Sequence, residues 1–189
     1  MLVDPICADH GWIAHATCHE ASHAIAAVER GIPFSAVKVL RPDQWITHSS
    51  SGFFAGGVYL DTSPADWVPG QPVAAMEFCL AGACGERATL GHHLDGCFKV
   101  DIEIWRSAMG LTDGGRADLI EAALGESMPD IAGRVARWAD ERIGAIRKVA
   151  LALVGRNESS LGERQIVEYS DDWELTEHQV KRLLKHSHG

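Results

Sequence analysis

The sequence predicts a mainly α chain with a small β-sheet, an α+β fold. Three observations predict it: an alanine-rich run closed by Gly31 and Pro33, two short β-rich runs directly after it, and helical apolar spacing through most of the remainder. At 189 residues the chain has room for one good core, so residues 1–189 are read as a single domain. An N-terminal part spans about 11–110 and a helical part about 116–186.

Residues from about Gly11 to Arg30 read as a helix, with Gly31 at the expected C′ position and Pro33 two residues on. FSAVKVL (Phe34 to Leu40) and FFAGGVYL (Phe53 to Leu60) read as strands that pair in a small sheet. The polar segment between them contains Pro42 and three serines. Residues 61–72, with three prolines, a glycine and Trp67, read as a loop. A helix follows from about Val73 to Leu90, ended by Gly91. HHLDGCFK is too irregular for either element, and a short helix spans about Val100 to Met109 before the DGG at 113–115. The longest helix is expected over about 129–154, with Pro129 in its first turn and Ile131, Val135, Trp138, Ile146, Val149 and Leu153 at helical spacing. Two shorter helices open on capping-box patterns, Ser160 with Glu163 and Thr176 with Gln179.

Acidic residues outnumber basic ones by nine and the Lys/Arg residues are scattered, which argues against a nucleic-acid partner. The five cysteines, Cys7, Cys18, Cys79, Cys84 and Cys97, lack paired CxxC spacing and read as reduced, mostly buried thiols. No signal-peptide pattern and no apolar run of about 18 residues is present, so a soluble cytoplasmic protein without a membrane partner is expected. There is no GxxxxGK[ST] loop, so any activity proceeds without an ATPase of its own.

The chemistry-bearing stretch is TCHEASHAIAAV, Thr17 to Val28. His19 and His23 are four apart and project from one helix face about 40° apart, so both imidazoles can reach one ion. Zinc with three protein ligands keeps a position for water and lowers that water's pKa towards about 7. Glu20, beside the first histidine, is placed to act as general base, and the spacing is the HExxH pattern of zinc peptidases. The bland alternative is a chance trio of polar residues on a helix in a chain with ten histidines.

ATCHEASHAIAAV resembles the zinc-binding helix of the FtsH-type ATP-dependent metalloproteases, in which HEAGH precedes a small-and-apolar run. AVKVL and GGVYL are similar to the strand pair after it. LAGACGERATLG (Leu80 to Gly91) resembles that family's Gly-Gly-Arg-x-Ala-Glu-Glu helix, with Gly82, Glu86 and Gly91 in register. LALVGRNESSLGERQI resembles its closing helical segment, and the resemblance covers about residues 15–168. Ser22 stands for the family's glycine, Ala83 for an arginine and Arg87 for the second glutamate, while HHLDGCFKVD replaces Thr-Thr-Gly-Ala-Ser-Asn-Asp. The resemblance implies an FtsH-like zinc peptidase domain with a C-terminal helical bundle. It also implies a third zinc ligand, an aspartate heading an apolar helix, carried here by Asp101.

Asp95, His92 and His93 compete with Asp101 for that place, and the bland reading of Asp101 is an acid at a helix N-terminus. Glu86 is expected to hold a ligand histidine or a helix end. GGVYL, if an edge strand beside the metal, could pair with an extended peptide; ordinary sheet packing is the alternative. The leading expectation is a zinc-dependent metalloendopeptidase with His19, His23 and Asp101 on zinc and Glu20 as base. It would act on peptides or unfolded segments, or with a separate unfoldase. The alternative is a non-catalytic zinc-binding regulatory or interaction module. The long C-terminal helices carry enough apolar surface to make a homo-oligomer a further expectation.

Overall fold

The computed structural model describes residues 12–40, 46–48, 52–54, 56–91, 95–111, 117–154 and 173–185. Helix α1 (Trp12–Arg30) is the centre of the fold, buried continuously from Ala14 to Ala27. A helix enclosed on all sides needs small residues to let its neighbours approach, which is why alanine dominates here. Its two hydroxyls are satisfied locally: Thr17 Oγ1 donates to the Ile13 carbonyl at 2.8 Å and Ser22 Oγ to the Cys18 carbonyl at 2.6 Å. The expected stop is realised at Gly31, whose φ is 68°. The Ile32 amide reaches the Ala27 carbonyl at 2.9 Å and the Gly31 amide the Val28 carbonyl at 3.3 Å, a Schellman closure.

The sheet is antiparallel with strand order β4-β1-β5, built from β1 (Phe34–Val39), β4 (Gly56–Leu60) and β5 (Glu174–Thr176). FFAGGVYL is not one strand: Gly52–Phe54 is β3, paired with β2 (Ile46–His48) in a separate two-stranded sheet, and only Gly56–Leu60 pairs with β1. The third strand comes from near the C-terminus, where Lys38 of β1 forms an ion pair with Glu174. Its three residues are too few to show a strand period. Thr176 then closes the capping box as expected, its Oγ1 accepting from the Gln179 amide at 3.3 Å while its own amide donates to Gln179 Oε1 at 2.7 Å. Helix α8 (Glu177–Lys185) follows, and the Ser160/Glu163 box lies outside the described residues.

Residues 61–72 are more ordered than expected. They hold a short helix α2 (Pro64–Trp67) and a 3-10 turn (Val68–Gly70), because a proline breaks a helix interior but suits a first turn. Helix α3 (Pro72–Leu90) runs to Gly91, at φ 87°, as expected. Helix α4 spans Asp95–Ala108, not 100–109. Gly96 and Cys97 argue against helix by propensity, a preference weak enough for tertiary context to override. Asp101 therefore lies well inside α4 instead of heading it. One turn on, fully buried Trp105 donates from Nε1 to the Pro72 carbonyl at 2.9 Å and pins that face of α4 to the start of α3.

The long helix expected over 129–154 is two: α6 (Met128–Glu141) and α7 (Ile143–Leu153), preceded by α5 (Ala117–Leu124). The break is at Arg142, whose φ and ψ are −109° and 6° and whose Nε donates to Glu29 of α1 at 2.8 Å. It separates two cores. Ile131 and Val135 of α6 pack with Met76, Leu80 and Trp105, whereas Ile146, Val149 and Leu153 of α7 pack with Ile25, Phe34 and Val37. A single straight helix could not face both. Pro129 falls in the first turn of α6, as its sequence suggested, and the Ser127 side chain caps that helix by accepting from the Asp130 amide. The C-terminal helices pack mainly on α1 and α3. Among the described residues no helix is long and apolar enough to cross a membrane.

Candidate metal centre

Helices α1 and α3 pack closely side by side, and small residues on α3 make the approach feasible. A methyl group on Gly82 would collide with the His19 and His23 rings, and one on Gly85 with Ser22. The Ser22 position, glycine in the family resembled, is thus accommodated by a glycine on the opposite helix.

His19, His23 and Asp101 converge, and their ligating atoms lie within 4.8 Å of one another. His19 Nε2 is 3.0 Å from His23 Nε2 and 3.1 Å from Asp101 Oδ2, and His23 Nε2 is 3.3 Å from that same oxygen. Two ligands bound at about 2.0–2.1 Å to one ion, at a tetrahedral angle, stand about 3.3 Å apart, so the triangle has the dimensions of three corners of a zinc site.

The outward nitrogens settle the tautomers. His19 Nδ1 donates to Glu86 Oε1 at 2.6 Å, and His23 Nδ1 donates to the Phe78 carbonyl at 2.8 Å. With both Nδ1 atoms carrying protons, the neutral rings turn lone pairs at Nε2 towards each other and towards a carboxylate. Three acceptors facing one point need positive charge among them, as a proton on an imidazole or as a metal ion. The electrostatics agree. Burial works to lower the His19 imidazole, but Asp101, Glu86 and Glu20 outweigh it and hold it well above 6.5. Burial likewise works to raise the Asp101 carboxyl, and His23 and His19 overcome it and hold the group down at about 2. Among the described residues Asp101 is the carboxylate that meets both Nε2 atoms. His92 and His93 lie outside the described residues, as does the Asp95 side chain.

Glu20 stands on the same helix, buried, and is not one of the converging three. Burial drives its carboxyl from 4.5 up to about 7, against the pull of His19 and His23. Gly56, the first residue of β4, closes on it, since a Cβ there would lie 2.8 Å from Glu20 Cγ. β4 pairs with β1 alone among the described residues and is an edge of its sheet, so GGVYL lies beside the centre with its outer side unpaired by any described strand.

Glu86 is fully buried and hydrogen-bonds His19, one of the contacts expected of it. Sequence reading did not pick out the Phe78 carbonyl or His15, whose Nδ1 donates to Glu86 Oε2 at 3.1 Å. No side-chain signal marks a carbonyl. For His15 the signal was available, four residues before His19 and therefore on the same face. Among the described cysteines Cys18, Cys79 and Cys84 form no disulfide; burial pushes Cys79 well up and Cys84 up to about 11, so neither of these two is a thiolate at neutral pH.

Comparison of the chain with protein-family models, with curated proteins and with solved structures returns no match.

Proposed function

We propose that the chain is a zinc metalloendopeptidase of FtsH-like type, hydrolysing peptides and unfolded segments. The observation that carries the reading is the convergence of His19 Nε2, His23 Nε2 and Asp101 Oδ2 at 3.0–3.3 Å with a buried glutamate directly after the first histidine. The Gly82 cradle supports it, because the backbone leaves free the space that a β-carbon would take from the ligating nitrogens. Two imidazoles and one carboxylate are the donor set that borderline-soft zinc prefers.

A bound zinc would act as a Lewis acid on the scissile carbonyl and on water. The protein's own groups do the rest. Glu86 and the Phe78 carbonyl hold the two imidazoles in the Nδ1–H tautomer, which keeps each Nε2 lone pair available to the ion. Glu20 takes a proton from the attacking water as its oxygen bonds to the carbonyl carbon. It returns that proton to the amide nitrogen as the C–N bond breaks. An extended peptide adding to the edge of β4 would pass Gly56, where the absent side chain leaves its backbone close to Glu20. Folded substrates would need a separate unfoldase, and the cytoplasm is the compartment that suits reduced thiols.

The test is paired. Glu20→Gln should keep stoichiometric zinc and lose cleavage of an unstructured peptide by at least about 10²-fold. His19→Ala, His23→Ala and Asp101→Ala should lose zinc and cleavage together. Wild-type protein that holds zinc but cuts no unstructured peptide would instead mark a non-catalytic zinc module, and equal cleavage by Glu20→Gln would remove Glu20 from the mechanism.

A further inference from the structure

We infer that His15 is a positioning residue of the metal centre, holding the second oxygen of Glu86 and so locking the carboxylate that orients His19. The inference rests on the metal-centre reading and extends it one layer outward.

His15, His19 and His23 fall at i, i+4 and i+8 of α1, so three imidazoles line one face of a single helix. They are divided between two tasks. His19 and His23 bring Nε2 to Asp101, whereas His15 sends Nδ1 to Glu86 of α3. Glu86 accepts through both oxygens, from His19 at 2.6 Å on Oε1 and from His15 at 3.1 Å on Oε2. A carboxylate gripped at one oxygen can pivot about its terminal bond, and one gripped at both cannot. Glu86 is fully buried and His15 is 7% exposed, so bulk water is a poor substitute if the His15 donor is lost. Freed from His15, Glu86 would no longer fix the plane of the His19 ring, and the direction of its Nε2 lone pair would loosen. Outer partners of metal-bound histidines characteristically set metal affinity through this route.

A packing role predicts something different from a positioning role, and two substitutions separate them. Phenylalanine keeps a ring of similar size without an N–H, while the Asn amide places a donor near the position of Nδ1. In the full chain, stripped and reloaded, zinc affinity is read by competition with a chromophoric chelator, and coordination geometry by the visible spectrum of the cobalt-substituted protein. His15→Phe should weaken zinc binding by about tenfold or more and alter the cobalt spectrum, with His15→Asn recovering most of both. Folded His15→Phe protein with wild-type zinc affinity and cobalt spectrum would overturn the proposal. So would equal weakening by both variants, which is the mark of packing alone. Should His15→Phe not fold, the side-chain nitrogen spectrum of the unmutated protein decides. A His15 Nδ1 proton protected from exchange supports the contact, and a ring protonated only at Nε2 overturns it. Zinc binding is read independently of cleavage: wild-type protein that binds zinc but cuts nothing counts against the peptidase reading alone, whereas one that binds no zinc overturns both.

Discussion

Glu20→Gln should do more than remove a base: it should stabilise the metal-free protein, in a pH-dependent way. Burial raises the Glu20 carboxyl from 4.5 to about 7 in the folded state. Between those values the folded protein holds a proton that the unfolded chain releases, so stability falls as pH rises through that window. Above about pH 7 the penalty is complete. At about 1.4 kcal/mol per pH unit, the interval of roughly 2.5 units corresponds to about 3–3.5 kcal/mol. Glutamine has the same shape and no charge to bury, so the variant should escape that penalty. The assay is urea unfolding with excess chelator, extrapolated linearly to water, at about pH 4 and pH 8. The expected gain is about 3 kcal/mol at the higher pH, or roughly 6–12 °C in Tm for a chain of this size, shrinking to near zero at the lower. Zinc should narrow the difference, because a cation beside the carboxylate favours its ionised form. A variant no more stable than wild type at pH 8, or equally stabilised at both pH values, would refute the reasoning.

Three glycines separate space from backbone freedom. A Cβ at Gly82 would lie 2.5 Å from His23 Nε2, so Gly82→Ala should weaken zinc binding by about 100-fold, measured by chelator competition, while overpacking costs the apo fold no more than about 1–3 kcal/mol. Gly56→Ala would place a methyl 2.6 Å from the Lys38 carbonyl oxygen and 2.8 Å from Glu20 Cγ; peptide cleavage should fall with zinc content unchanged by metal analysis. Gly144, in the first turn of α7, has nothing within 4 Å of its would-be Cβ, and its φ is not positive. Gly144→Ala should raise stability by about 0.5–1 kcal/mol in the same urea titration, with zinc binding untouched.

The half of the site on α1 was legible because a helix converts spacing into direction. His19 and His23, four apart between strong helix signals, can only share a face. Asp101 was reached by resemblance, and its setting was misjudged. The helix carrying it begins at Asp95, and what aims Asp101 is Trp105 docked on the Pro72 carbonyl, a contact between residues 33 apart. Strand β5 and the break at Arg142 escaped for a related reason. The first is three residues paired with a strand well over a hundred residues earlier, and the second is tied by an ion pair to Glu29 of α1. Periodicity reports on neighbours along the chain, and these features are set by neighbours in space.

The chain's local pattern thus carries the class of fold, the zinc-type motif and its glutamate, since each follows from residue types at short, fixed separations. Tertiary structure decides which carboxylate meets the two imidazoles, which tautomer those rings adopt, and how far Glu20 is shifted by burial. The Glu86 carboxylate lies 67 residues from His19 and 71 from His15. Only packing α3 against α1, through Gly82 and Gly85, brings the three together.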